Sequence, residues 1–416
     1  MKTFYKNPLF LGLTHIGQVF SVAWSEKFGY SSVFDFNHKL LENFKKSKLT
    51  DEEPNLKKLY HKNKKKIFIC STPDEIKNFN NIFLTIDTPL LKNAQPDFKY
   101  IKKYIQQSLN YIAKNSNIII TSQVYCGFCD EIKKTILKSR KDINIIYMAE
   151  TLVMGNALKR FLSPERLIFG ASKNFPLKKE LKKFDCPIFV LNYRQAEMIK
   201  MAINLFLLTS VSYANLLDLY CREYGFKFST INEPIRLDNR VGKSSYISPS
   251  LGISGGHLER DLFSLIKTTK NSIVRNTFNN FKYLSKKRIE LLTNLFNKLR
   301  KKKKFSKVIW MGPSYKKDSF SILNSPYYHF RNYLIKKKIK LYTYDSLFDL
   351  EKHKIKNIIK KIEIKNFTKS LIIINYLNQK DKRYLQKMIK DKTIKIIDIG
   401  INKNIIINSD NITYLL

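Results

Sequence analysis

Four sets of residues in this 416-residue chain have types and spacings that suit chemistry. Gly12-Leu13-Thr14-His15-Ile16-Gly17 has the form G-x-T-x-x-G and lies between a short apolar run and a helical pattern. A turn of this kind lets a phosphate reach backbone N–H groups at a helix N-terminus. Asp35 closes the next apolar run, Val33-Phe34-Asp35-Phe36, where an acidic side chain accepts from ribose hydroxyls and repels a 2′-phosphate. Turn and aspartate together predict NAD rather than NADP as cofactor. Thr14 occupies the second-glycine position, where backbone and pyrophosphate come closest. Lys200 and Asn204, four apart in a helical pattern, share one helix face. His257 stands in the glycine-rich run Pro249-Ser250-Leu251-Gly252-Ile253-Ser254-Gly255-Gly256-His257, followed by Arg260 and Asp261. An imidazole suits general acid–base work. Cys126-Gly127-Phe128-Cys129 is a CxxC with no second pair or neighbouring His to complete a zinc site. It reads as two reduced structural thiols, and no metal is expected.

The elements that must position these groups follow a βαβ rhythm. Strands are predicted at Leu9–Leu13, Ser32–Phe36, Lys66–Cys70, Ile82–Ile86, Asn117–Thr121, Ile143–Tyr147, Arg166–Phe169 and Pro187–Leu191, which implies a parallel sheet with helices between. From Ala196 to Tyr224 the apolar spacing changes to that of one long helix, with Gly225 as its stop. More helix is predicted from about Gly256 to Arg300, and Leu299–Lys304 reads as a solvated helix end and linker. Strands then resume at Val308–Met311, Leu341–Tyr344, Ser370–Asn375 and Lys395–Ile399. The fold class expected is α/β: two Rossmann-like domains, 1–192 and 301–416, joined by a central long-helix domain, 193–300.

Composition excludes several classes. Hydrophobic residues make up 44%, enough for packed cores. The net charge of +42 arises from Lys spread along every helical face rather than gathered in a stripe. With no accompanying nucleic-acid-binding signature, nucleic acid is not the expected partner. Five scattered cysteines suit reduced thiols and a cytoplasmic setting. No secretory signal is evident at the N-terminus. The apolar stretch Ile199–Leu219 is broken by Lys200, Asn204 and Asn215, so it reads as a buried amphipathic helix rather than a membrane span.

Many ordered segments of the chain resemble the UDP-glucose/GDP-mannose dehydrogenase family. Ile86-Asp87-Thr88-Pro89 is similar to its V-P-T-P, Thr121-Ser122-Gln123-Val124 to its E-S-T-V, and Ala149-Glu150-Thr151-Leu152-Val153-Met154-Gly155 to its P-E-F-L-R-E-G. Ala196-Glu197-Met198-Ile199-Lys200-Met201-Ala202-Ile203-Asn204 resembles A-E-L-I-K-Y-A-x-N. Asp238-Asn239-Arg240-Val241-Gly242 resembles D-x-R-I-G, and Gly312-Pro313-Ser314-Tyr315-Lys316 resembles G-x-x-F-K. The 249–261 run resembles P-S-x-G-x-G-G-x-C-x-P-K-D, with His257 at the cysteine.

The resemblance implies an NAD-dependent oxidoreductase acting on a nucleotide-activated sugar. Its implied catalytic groups are Lys200, Asn204, Asp261 and Glu150, joined by His257. Implied cofactor contacts are Gly12, Thr14, Gly17, Asp35, Thr88, Ser122 and Arg260. Implied substrate contacts are Arg240, Tyr246, Gly252 and Lys316, and pairing into a homodimer through the long helix is also implied. In the family the cysteine carries a second oxidation as a thiol ester, which an imidazole does not support. Gln123, Met154 and Leu323 also replace the family's threonine, second glutamate and arginine. Three readings stay open. The chain performs a single hydride transfer or an epimerisation, it is an inactive nucleotide-sugar and NAD binder, or it is a four-electron dehydrogenase using unusual residues.

Overall fold

A computed structural model describes residues 7–416 apart from 51–52, 92–94, 172–180, 255, 315–321, 323–324, 347–349, 352–353, 361–366 and 401–409. It divides into two compact units, Met1–Ile203 and Asn204–Leu416. The second unit groups the helical middle with the C-terminal sheet, so the threefold division 1–192, 193–300 and 301–416 is finer than the one compactness makes.

The first unit is built on eight strands: β1 (Leu9–Leu11), β2 (Ser31–Phe34), β3 (Ile67–Ile69), β4 (Asn81–Leu84), β5 (Asn117–Ile120), β6 (Asn144–Met148), β7 (Leu167–Gly170) and β8 (Ile188–Leu191). Their order is β3-β2-β1-β4-β5-β6-β7-β8. β1 lies between β2 and β4 with its three residues buried, as a central strand with both faces covered must be. Its Phe10 packs at 5.1–6.3 Å, centroid to centroid, against Phe20, Trp24 and Phe83.

One junction departs from the parallel rhythm, because β7 runs antiparallel to β6. The link between them holds only the six-residue helix Ala157–Leu162. That helix advances about 9 Å, whereas retracing β6 needs about 16 Å. The chain does not make the crossover that a parallel pairing needs, and enters β7 from the near end.

In the second unit, β9 (Lys307–Met311), β10 (Leu341–Tyr344), β11 (Ser370–Ile374), β12 (Lys395–Asp398) and β13 (Ile412–Tyr414) form a parallel sheet ordered β10-β9-β11-β12-β13. β13 was not anticipated from the sequence. The helical stretch expected from about Gly256 to Arg300 is two helices, Gly256–Thr268 and Ser272–Lys302. The break falls at Asn271, whose side chain accepts from the Val274 N–H at 3.2 Å and caps the second helix.

The helix Tyr193–Glu223 is, among the described residues, the one long and apolar enough to cross a membrane, by length and composition only. Its C-terminal half is anchored within the second unit. Asp218 pairs with Arg288 at 2.7 Å, both side chains fully buried. Arg222 shares that carboxylate at 2.9 Å, and Arg288 Nε donates to the Ser250 carbonyl at 3.0 Å. Burial alone would push the Asp218 carboxyl up, but Arg288 and Arg222 outweigh it and hold the carboxyl below its ordinary value.

Replacing Arg288 by Leu strands a buried carboxylate, so the expected loss is about 3–5 kcal/mol of stability, read by urea unfolding. A carboxyl with a depressed folded pKa stabilises above its unfolded value of 3.8 and loses that contribution as pH falls. The gap between native and variant chains should therefore narrow below about pH 4; a gap that stays constant on acidification counts against the pairing.

Candidate functional site

The glycine turn lies between β1 and the helix His15–Phe28. Gly12 sits at φ +108°, where a Cβ would meet Ile86 Cγ2 at 2.3 Å, and a Cβ on Gly17 would lie 1.8 Å from the Gly12 carbonyl oxygen. Both positions therefore require glycine. Thr14 has φ −68°, so the second-glycine position needs no special backbone freedom here. Its hydroxyl donates to the Thr85 carbonyl at 3.1 Å and accepts from the Asp87 N–H at 3.0 Å. Thr14 makes no side-chain cap at this helix, whose N-terminal dipole favours an anion.

Asp35 follows β2 and is 3% exposed. It accepts from Leu13 N at 2.6 Å, Asn37 N at 2.7 Å and Tyr104 Oη at 3.4 Å. Burial pushes its carboxyl up, against those hydrogen bonds. A carboxylate has about four acceptor sites, so room remains for about one more donor. Turn, helix end and aspartate fit the phosphates and ribose of a dinucleotide. Thr88 and Ser122 lie in the loops after β4 and β5, where their hydroxyls donate to the Gln123 carbonyl at 2.6 Å and the Ile86 carbonyl at 2.7 Å. In this arrangement they brace neighbouring loops.

Also in the first unit, Lys200 Nζ stands 3.5 Å from Glu150 Oε2, both side chains 9% exposed. Glu150 is held in turn by the Leu152 N–H. In the second unit, Asn204 donates to Asp261 Oδ2 at 2.7 Å in a buried contact. Lys200 and Asn204 are one turn apart on the same continuous helix. His257, Arg260 and Asp261 occupy the start of the helix Gly256–Thr268. His257 is exposed, and its Nδ1 lies 2.6 Å from Arg260 Nη2. Arginine can only donate, so Nδ1 accepts and the imidazole proton sits on Nε2.

A cavity of about 400 Å³ opens in the second unit, within the range of small-ligand sites. Tyr246 and Gly252 line it, together with Arg236, Lys243, Ser248 and Asn375. Sequence reasoning passed over those last four; the serine-rich stretch 244–254 was a signal for Ser248 alone. Gly252 is fixed at φ +92°, with Ser285 Oγ only 2.7 Å from where a Cβ would be. The loop around it is tied to Asn215 by the Ser250 N–H at 2.6 Å and to Ser285 by the Ile253 N–H at 2.8 Å. Arg240 is not among the lining residues. Its side chain is 89% exposed and bridges to Asp238 at 2.7 Å within the same turn. Lys316 and Leu323 lie outside the described residues.

Residues 7–183 match the UDP-glucose/GDP-mannose dehydrogenase family's NAD binding domain, and residues 194–281 its central domain. A UDP-glucose 6-dehydrogenase from Rickettsia bellii is 27% identical over 218 residues, 51% of this chain and 49% of that protein. One from Bacillus subtilis is 24% identical over 271 residues, 63% of this chain and 59% of that protein. The chain spans about half the length of the curated relatives it matches. In fold it is similar to a UDP-glucose dehydrogenase from Pyrobaculum islandicum, with TM-score 0.83 at 17% identity over 99% of this chain and 97% of that one. A UDP-D-ManNAc dehydrogenase from Pyrococcus horikoshii gives TM-score 0.83 at 19% identity over 97% of each chain.

Replacing Asp35 with Ala should weaken NAD binding about tenfold, ~1.4 kcal/mol, and relax the preference over NADP. Titration calorimetry reads both effects. A native chain that binds NADP more tightly than NAD would show that Asp35 does not face the ribose.

Proposed function

Because the chain belongs to the UDP-glucose/GDP-mannose dehydrogenase family and carries its NAD-binding domain, we propose that it oxidises a nucleotide-activated sugar by one hydride transfer, or returns that hydride in an epimerisation. Bound NAD supplies the hydride acceptor. The observation that carries the single transfer is His257, an exposed imidazole held by Arg260 where the motif alignment places a thiol. With its proton on Nε2, this side chain donates a hydrogen bond and offers no sulfur for an acyl bond. The Lys200 ammonium polarises the reacting oxygen, and Asp261, oriented by Asn204, takes the alcohol proton through water. The cavity at Tyr246 and Gly252 receives the nucleotide sugar, with Arg236 and Lys243 facing its diphosphate.

A second reading, an inactive nucleotide-sugar and NAD binder, draws on the Lys200–Glu150 pair, which already neutralises the buried ammonium. The two are separated by incubating the chain with candidate sugars and NAD, then following NADH absorbance beside product mass. At most one NADH per sugar consumed is expected, and none for an epimerase. Sugar-dependent thermal stabilisation without product favours the binder. A uronic acid formed with two NADH overturns the single-transfer proposal.

The long helix also proposes a homodimer. Ala202, Phe206, Thr209, Tyr213, Leu216 and Tyr220 are exposed in succession, spaced alternately four and three apart. That is the 3.5-residue period of a helix-pairing seam, with Phe206 70% and Leu216 56% exposed. Pairing of this face between two copies, in the cytoplasm and without membrane insertion, accounts for its apolar character. Light scattering at micromolar concentration should show a dimer, and Leu216→Glu should shift it toward monomer. A native monomer removes the argument.

A further inference from the structure

Away from the cofactor turn, the first unit sets two cysteines, three apart in sequence, against one helix that carries a buried carboxylate. The Phe128 N–H closes a turn on the Tyr125 carbonyl at 3.1 Å, with Gly127 at φ +96°. The helix Phe128–Thr135 begins directly behind it. Cys126 therefore precedes the helix and Cys129 lies in its first turn. Both face the start of the helix Tyr193–Glu223. Cys126 Sγ is 3.5 Å from the Arg194 carbonyl oxygen. The Gly127 and Cys129 N–H groups donate to the two oxygens of Glu197 at 2.5 and 2.8 Å, and the Cys129 thiol hydrogen-bonds the same carboxylate.

The two cysteines differ in access. Cys126 is partly exposed, whereas Cys129 and Glu197 are fully buried. An ion pair between Arg194 and Asp130 at 2.7 Å stands beside Cys126. No group of three or more His, Cys, Asp or Glu able to hold a metal exists among the described residues. A bond between residues three apart closes too small a loop to restrict the unfolded chain much, so it would serve poorly as a staple.

We propose that Cys126 and Cys129 form a reversible dithiol–disulfide couple with small-molecule disulfides, in which Cys126 attacks first and Glu197 receives the Cys129 proton. The Cys126 thiolate attacks one sulfur of RSSR, giving Cys126–S–S–R and releasing the other half, which leaves as RSH after taking up the proton lost from Cys126. Cys129 sulfur then attacks Cys126 sulfur while its own proton passes to Glu197. The second RS⁻ departs and collects that proton. The protein loses two electrons and two protons, and RSSR becomes two RSH.

Burial raises both thiols above their ordinary pKa, and Glu197 and Asp130 add to the rise. Arg194 opposes it at Cys126 and Lys133 at Cys129. Exchange is therefore slow at neutral pH and quickens toward alkaline pH, because only the thiolate attacks.

The test equilibrates the full chain with graded ratios of oxidised to reduced glutathione, alkylates the remaining thiols and maps the peptides by mass. The peptide carrying both cysteines should lose two hydrogens, resist alkylation and recover fully in dithiothreitol. Cys129→Ser should stop at a glutathione adduct on Cys126, and Cys126→Ser should leave Cys129 unreacted. Glu197→Gln should slow ring closure at least tenfold without slowing the first adduct, because removing the charge eases part of the rise at Cys126. If the glutathione adduct on native Cys126 never closes, or both thiols stay reduced at the most oxidising ratio while Cys186 reacts, the couple does not exist.

Discussion

A helix of thirty-one residues that packs one face inward must give every buried charge or amide on that face a partner. The helix Tyr193–Glu223 meets this demand at five successive places. Glu197 takes the N–H groups at the start of the helix Phe128–Thr135, Lys200 takes Glu150, and Asn204 takes Asp261. Asn215 takes Ser250, and Asp218 takes Arg288. Each partner comes from a different loop or helix, so within each unit the polar pairings decide which segments pack on the helix. Apolar packing alone, being non-directional, would not fix them so specifically.

Each pairing also fixes a polar side chain in place. The Lys200 ammonium is held at a carboxylate and the Asp261 carboxylate at an amide, so each has little freedom left. The cofactor turn is prepared differently. Gly12 and Gly17 have no room for a side chain, and Thr85 hydrogen-bonds the turn from the neighbouring strand end. Exact placement of backbone there comes from steric exclusion, whereas placement along the long helix comes from electrostatics.

Much of the fold was legible because strand and helix periodicities differ so plainly. Every strand read from the alternation before residue 192 has a counterpart within about two residues, and Gly225 does end its helix in the left-handed region. The reversal at β6–β7 was not legible, since apolar runs carry no sign of direction. β13 was missed because Ile412–Tyr414 is short and only partly buried. The cavity lining was missed for another reason. Arg236, Lys243 and Asn375 have no common spacing and meet only through tertiary structure. Glu197 belonged to a quoted motif, yet its partners at Gly127 and Cys129 are some seventy residues away, beyond any local pattern.

The order of strands in the first sheet also governs the order in which the chain can take shape. One flank of β1 is incomplete until Leu9 meets Ile82 on β4. Thr85, just beyond that strand, is the residue whose hydroxyl reaches the Gly12 carbonyl at 2.8 Å and whose own carbonyl receives Thr14 at 3.1 Å. The glycine turn at 12–17 is thus completed by a residue some seventy positions further along the chain. A nascent chain halted before residue 85 would hold the glycines without the frame that gives them their shape, and contacts of such long separation are slow to form.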